Sequence, residues 1–124
     1  RKPGMHSLNT ETGEILWSTI TDKECKEIDT NCDPGISAAV TAVPGAVIAG
    51  HLDGMIRVYD KNNGDILWSF NSLGEYESIS GTPASGGSFS GSGPSVRNGF
   101  MAINSGYGIY NHMPGNALLL FSIE

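Results

Sequence analysis

The chain is 124 residues long, 39% hydrophobic and 16% charged, a balance that excludes both a charged disordered chain and a membrane-buried one. Its 7 Lys and Arg against 13 Asp and Glu leave a formal charge of -6, which argues against nucleic-acid or anionic-lipid partners, because phosphate recognition needs clustered basic residues. No apolar run approaches the ~20 residues that span a bilayer; the longest, residues 117–121, is the size of a strand.

Taken in chain order, residues 1–5 lack the apolar stretch of a signal peptide, so the expectation is a leader already removed or a sequence that starts partway through something longer. Residues 7–18 read as strand, tight turn, strand, with Thr12-Gly13 at the turn. Cys25 and Cys32 follow in a polar, turn-rich stretch with no further Cys and no nearby His, which excludes a zinc set. Two readings remain for them: a disulfide closing a small surface loop, which places the chain outside the cytoplasm, or two free cytosolic thiols.

Residues 36–43 and 46–50 are apolar and β-prone, parted by Pro44-Gly45; the turn His51-Leu52-Asp53-Gly54 leads into residues 55–60. Then Gly64-Asp65-Ile66-Leu67-Trp68-Ser69 repeats Gly13-Glu14-Ile15-Leu16-Trp17-Ser18 at an offset of 51, with Asn63-Gly64 suited to a two-residue hairpin turn. Four short antiparallel strands between residues 36 and 71, repeating about every 50 residues, predict one blade of a β-propeller. A third copy is degenerate: residues 101–108 match 47–54 at an offset of 54, and residues 119–122 match 57–60 at an offset of 62. The difference places an insertion at 109–116.

The predicted fold class is therefore all-β, about 2.25 propeller blades: the outer strands of one blade in 1–22, a complete blade in 36–71, and a three-stranded last blade in 93–124. A ring needs roughly four to eight blades, so the remaining ones are expected on another chain or fragment. In such a ring, the connection from Asn71 to Gly93 and the 109–116 insertion open on one face, over the central channel.

These segments supply the candidate site. Gly86, Gly87 and Ser88 can bring backbone N–H groups to an anionic ligand, or form a solvated loop. Asn104, Ser105 and Tyr107 can donate hydrogen bonds into the channel, or serve turn geometry. Trp17 and Trp68, at fixed repeat positions, are expected to pack between neighbouring blades. His51 and His112 fall on the channel-side loops, either as plain surface residues or as proton-transfer groups, because an imidazole titrates near neutral pH, and Asp53 is explained by its Asp-Gly turn. A serine-hydrolase elbow, a P-loop and an EF-hand are absent from the sequence.

Ser7, Asn9, Thr12, Gly13 and Trp17, and again Val58, Asp60, Asn63, Gly64 and Trp68, fall on the pattern A-x-D-x-x-T-G-x-x-x-W. This resembles the blade signature of quinoprotein (PQQ-type) propellers, with Asn9, Asn63, Ser7 and Val58 as mild departures. The segments Ser37-Ala38-Ala39-Val40, Gly86-Gly87-Ser88, Asn104-Ser105-Gly106-Tyr107-Gly108 and Met113-Pro114-Gly115-Asn116 resemble the C-terminal portion of polyvinyl-alcohol-dehydrogenase-like quinoproteins. That family also carries a cysteine pair ahead of the Ala-Ala-Val strand. The resemblance implies an eight-bladed propeller holding pyrroloquinoline quinone (PQQ), with a divalent cation such as calcium, and oxidising a small or polymeric alcohol in the periplasm or outside the cell. A haem motif C-x-x-C-H and an adjacent Cys-Cys pair are missing, and no catalytic base or metal ligand falls on a matching motif. The competing expectation is a non-catalytic extracytoplasmic propeller acting as a binding scaffold.

Overall fold

A computed structural model of the chain describes residues 2–22 and 32–123. The fold is all-β. Strands β1 (Gly4–Leu8) and β2 (Ile15–Ile20) form a hairpin; β3 (Thr41–Val43), β4 (Ala46–Gly50), β5 (Met55–Asp60) and β6 (Ile66–Asn71) form a four-stranded antiparallel meander. Strands β7 (Gly74–Glu77) and β8 (Pro83–Gly86) form a second hairpin, and β9 (Ser95–Arg97), β10 (Phe100–Ser105) and β11 (Ala117–Ser122) a three-stranded sheet in the order β11-β10-β9. Among the described residues no helix is long and apolar enough to cross a membrane.

The period-two alternation of β4 and β5 decides how the sheets stack. Ala49 and Tyr59 point to one face and pack with Met5, Trp17 and Val47 against the β1–β2 hairpin. Ile48 and Ile56 point to the other and pack with Ala38, Phe89 and Ile103 against the β9–β11 sheet. The meander is thus covered on both faces by the sheets before and after it in sequence, the arrangement of successive blades in a β-propeller.

The repeat extends to the turns. Asn9 Oδ1 accepts the Glu11 and Thr12 amides, at 2.8 and 3.1 Å, and its counterpart Asp60 Oδ1 accepts the Asn62 amide at 2.7 Å. Thr12 Oγ1 and Asn63 Oδ1 each accept the amide two residues on, from Glu14 and Asp65. Both hairpins carry a bulge at the equivalent step, Ser7/Leu8 and Val58/Tyr59. The departures at Asn9 and Asn63 keep the acceptor that each turn needs, which is why Asn can stand for Asp and for Thr.

Two expectations are corrected. The turn at Asn63-Gly64 is not a two-residue one: the Asp60 amide bonds to Asp65 O and the Gly64 amide to Asp60 O, so residues 61–64 form a four-residue loop in which Gly64 is left-handed (φ 78°) and Asn63 is not. The two-residue turn with both residues left-handed lies at Asn98-Gly99, φ 50° and 78°, joining β9 to β10. The connection from Asn71 to Gly93 is also not a plain loop, because it contains the β7–β8 hairpin. Its sequences, GEYE and PASG, have too few apolar residues to announce strands. Tertiary partners hold it instead: the Tyr76 hydroxyl donates to Ser72 O, and the Ser85 amide to Asn116 Oδ1.

Candidate functional site

The β4–β5 turn, the segment after β8 and the β10–β11 connection converge at one end of the sheets. The Phe89 amide bonds to His51 O, the Ser88 amide to Met113 O and the Gly106 amide to Ser88 O. Ser88 Oγ donates to Leu52 O and accepts the Met113 amide. Ser105 is fully buried, and its hydroxyl sits between Ser72 Oγ at 2.8 Å, the Gly87 amide at 2.9 Å and Gly87 O at 3.1 Å.

This geometry divides the residues expected to bind a ligand. The Gly87 and Ser88 amides and the Ser105 hydroxyl are committed within the protein, because joining loops from two sheets leaves polar backbone that must be paired internally. Gly86 and Gly87 matter for close approach: a Cβ on Gly86 would strike the Ser72 carbonyl, and one on Gly87 the Met113 and Pro114 carbonyls. Ser88, Asn104 and Tyr107 line a small cavity of 160 Å³ together with Ser90, Gly91 and Ser92. Beside it, Ser90 Oγ and His112 Nδ1 are buried without a hydrogen-bond partner, and both lie within 4 Å of where a Cβ on Gly108 would stand. The sequence does not single out Ser90, one serine in a run of Gly and Ser, and leaves His112 between a surface and a proton-transfer role.

The β10–β11 connection also holds Tyr110 and Asn111 at φ 65° and 60°, left-handed values that cost a non-glycine residue of order 1 kcal/mol each. Tyr107 is anchored by its hydroxyl, which donates to Asn116 O at 2.8 Å.

Beneath the β4–β5 turn lies a polar cluster that the sequence did not announce. His51, Asp53 and Tyr59 are completely buried and Arg57 is 3% exposed. Arg57 forms a two-pronged ion pair with Asp53, at 2.8 and 3.1 Å, and Asp53 also accepts the Met55 amide. His51 Nδ1 donates to Pro34 O at 2.8 Å, which leaves Nε2 to accept the Tyr59 hydroxyl at 2.9 Å. His51 is therefore not a surface residue, and Asp53 does more than turn the chain. Together they fix the turn whose carbonyls hold Ser88 and Phe89.

Burial lowers the His51 pKa from its ordinary 6.5, against the raising effect of the Pro34 hydrogen bond, and nearby Arg57 lowers it further. Burial pushes the Tyr59 hydroxyl up to about 12. The unfolded chain takes up the His51 proton near pH 6.5 and the folded one only at lower pH, so the unfolded state binds more protons as pH falls below 6.5. Folding stability should drop across that interval with a slope of up to ~1.4 kcal/mol per pH unit from this group. Urea titrations of the chain and of His51→Gln between pH 7.5 and 5 check this; parallel pH profiles would contradict it.

Among the described residues no group of three or more His, Cys, Asp or Glu is placed to hold a metal ion, and no free thiol is present; Cys25 lies outside them. The converging loops, residues 51–54, 72–93 and 104–116, contain neither Lys nor Arg. By themselves they do not fit a quinone bearing several carboxylates: the cavity is smaller than the ~300 Å³ at which ligand pockets begin, and among the described residues no Lys or Arg lines it.

No protein-family model matches the chain. It is 34% identical over 133 residues to a polyvinylalcohol dehydrogenase of Pseudomonas sp, and 31% identical over 135 residues to one of Sphingopyxis sp. (strain 113P3). The chain is similar to polyvinylalcohol dehydrogenases. Each match covers 99% of this chain and 21% of the relative, so the chain spans about a fifth of the length of the curated relatives it matches. The similarity thus takes in every sheet and all three converging loops, the polar cavity included.

Proposed function

We propose that the chain is the C-terminal portion of a PQQ-dependent alcohol dehydrogenase-like quinoprotein, an eight-bladed propeller in which these residues form one wall over the channel. The observation that supports it most is the convergence of three loops from two adjacent sheets around a polar cavity, in a chain similar over 99% of its length to polyvinylalcohol dehydrogenases. In this reading the quinone performs the oxidation and the protein orients cofactor and alcohol. Asn104 supplies hydrogen bonds on this wall, while Gly86, Gly87, Ser88, Ser105 and Tyr107 hold the loops in place. The remaining blades supply the charge that neutralises the quinone carboxylates, the calcium ligands and the catalytic base, so this chain alone is inactive. A Cys25–Cys32 disulfide and an extracytoplasmic location belong to the same reading.

The test is reconstitution of the full-length parent protein with PQQ and calcium, followed by alcohol-dependent dye reduction. The expected result is turnover that depends on both additions and falls at least tenfold in Asn104→Ala with folding stability unchanged. Absence of quinone binding and of turnover would overturn the reading. The lack of any Lys or Arg on the converging loops favours a second reading, a non-catalytic propeller scaffold, which that outcome would support.

A further inference from the structure

Among the described residues, Ser90 Oγ and His112 Nδ1 are the two buried side-chain atoms without a hydrogen-bond partner. Folded proteins leave such atoms unpaired rarely, because each has given up its water and received nothing in return. Here both occur in one place, although they come from separate loops, one after β8 and one between β10 and β11. They stand 2.5 and 3.6 Å from the point that a Cβ on Gly108 would occupy. They do not bond each other, yet a single oxygen about 3 Å from each would bridge them.

The surroundings hold the pair in position. Tyr110 and Asn111, immediately before His112, are both left-handed, and the Tyr110 ring meets the imidazole edge-on at a centroid distance of 6.3 Å. Ser88 has no capacity left, since its hydroxyl donates to Leu52 O and accepts the Met113 amide. Gly108 keeps the space beside Ser90 open. It is not left-handed, so what an alanine there would meet is the Ser90 hydroxyl and the His112 side chain.

A hydroxyl is the group that suits this pair. The Ser90 O–H donates to its oxygen, and its own proton goes to His112 Nδ1, an acceptor when the ring carries its hydrogen on Nε2. A carboxylate does not suit it, because the converging loops contain neither Lys nor Arg. The adjoining 160 Å³ cavity takes a CHOH unit and its neighbours but not a whole ligand. We propose that Ser90 and His112 form a subsite for a second hydroxyl of a neutral polyol, held while another hydroxyl of the same molecule is oxidised. The pair thereby favours polyols over monohydric alcohols, a preference that rests on the alcohol-oxidising reading of the site.

The probes are butane-1,3-diol and butan-2-ol, which share a secondary hydroxyl and differ by one more. In the full-length parent protein loaded with PQQ and calcium, Ser90→Ala, His112→Phe and Gly108→Ala should each lower kcat/KM for the diol at least tenfold. Each should leave that for butan-2-ol within twofold. Equal losses on both alcohols, or no loss on the diol, would overturn the proposal. In the parent protein without quinone or calcium, labelled with nitrogen-15 at histidine, the His112 Nδ1 resonance is identified by its absence in His112→Phe. It should shift on addition of the diol, and stay in place in Ser90→Ala and Gly108→Ala. A resonance indifferent to the diol would overturn the proposal. Ser90→Ala should also leave the urea midpoint unchanged or raised, because it removes an unpaired polar atom; a lowered midpoint would assign the hydroxyl to the fold instead. A nitrogen shift without turnover would support the subsite and count against the quinone reading alone, whereas turnover without a shift would count against the subsite alone.

Discussion

Replacing Asp53 with Ala is expected to lower folding stability by about 3–5 kcal/mol, the usual effect of removing one partner from a buried ion pair. Asp53 is 0% exposed and holds both arms of the Arg57 guanidinium. Without it the cation stays buried between two sheets, since among the described residues Asp53 is its one ion-pair partner. The Met55 amide loses its acceptor as well. Asp53→Asn should cost less, because the amide oxygen can still take the Met55 N–H. The double variant Asp53→Leu, Arg57→Met, which removes both charges, should recover much of the loss. Urea midpoints of the three variants measure this. A loss below ~1 kcal/mol for Asp53→Ala would mean that water reaches Arg57, at odds with its burial.

Gly64→Ala is expected to destabilise by about 3 kcal/mol, and Gly13→Ala by only ~1–2 kcal/mol. The two glycines occupy the same place in the repeat and nearly the same backbone conformation, φ 78° and 75°, so the left-handed strain that a Cβ introduces is common to both. They differ in what the Cβ meets. At Gly13 nothing lies within 4 Å, whereas at Gly64 the Trp17 ring and the Thr19 hydroxyl block it. The difference between the variants therefore measures the Trp17 and Thr19 contacts together. Gly64→Ala should also move the Trp17 emission to the red as the indole leaves the turn, and Gly13→Ala should leave it in place. Equal losses in the two variants would show that the ring adapts without cost.

These expectations bear on function because the two features meet at the meander. The Trp17 contact ties the first hairpin to the four-stranded sheet, and the Asp53 cluster supports the turn that holds Ser88 and Phe89. A polar cavity built from loops of two sheets keeps its shape only while those sheets keep their stacking. Residues remote from the cavity thus control where Asn104 and Tyr107 stand.

Apart from the β7–β8 hairpin, the strands, their order and their repeat were legible in the sequence. Asn9, Thr12 and Gly13, or Asp60, Asn63 and Gly64, act on amides no more than three residues away, so turn chemistry alone marks where one strand ends and the next begins. The apolar alternation along β4 and β5 likewise requires a cover on both faces, whatever supplies it. Only the tertiary structure decided which polar residues are buried and what they bind. The Ser105 hydroxyl and the Gly87 amide are 18 residues apart, and Tyr76 and Ser85 settle into a hairpin through Ser72 and Asn116 rather than through any apolar pattern. The burial of His51 and Asp53, and the placing of Ser90 and His112 beside one cavity, depend on neighbouring sheets arriving from distant parts of the chain. Local chemistry sets a turn within a few residues, whereas the desolvation that gives a polar side chain its role comes from whatever is packed over it.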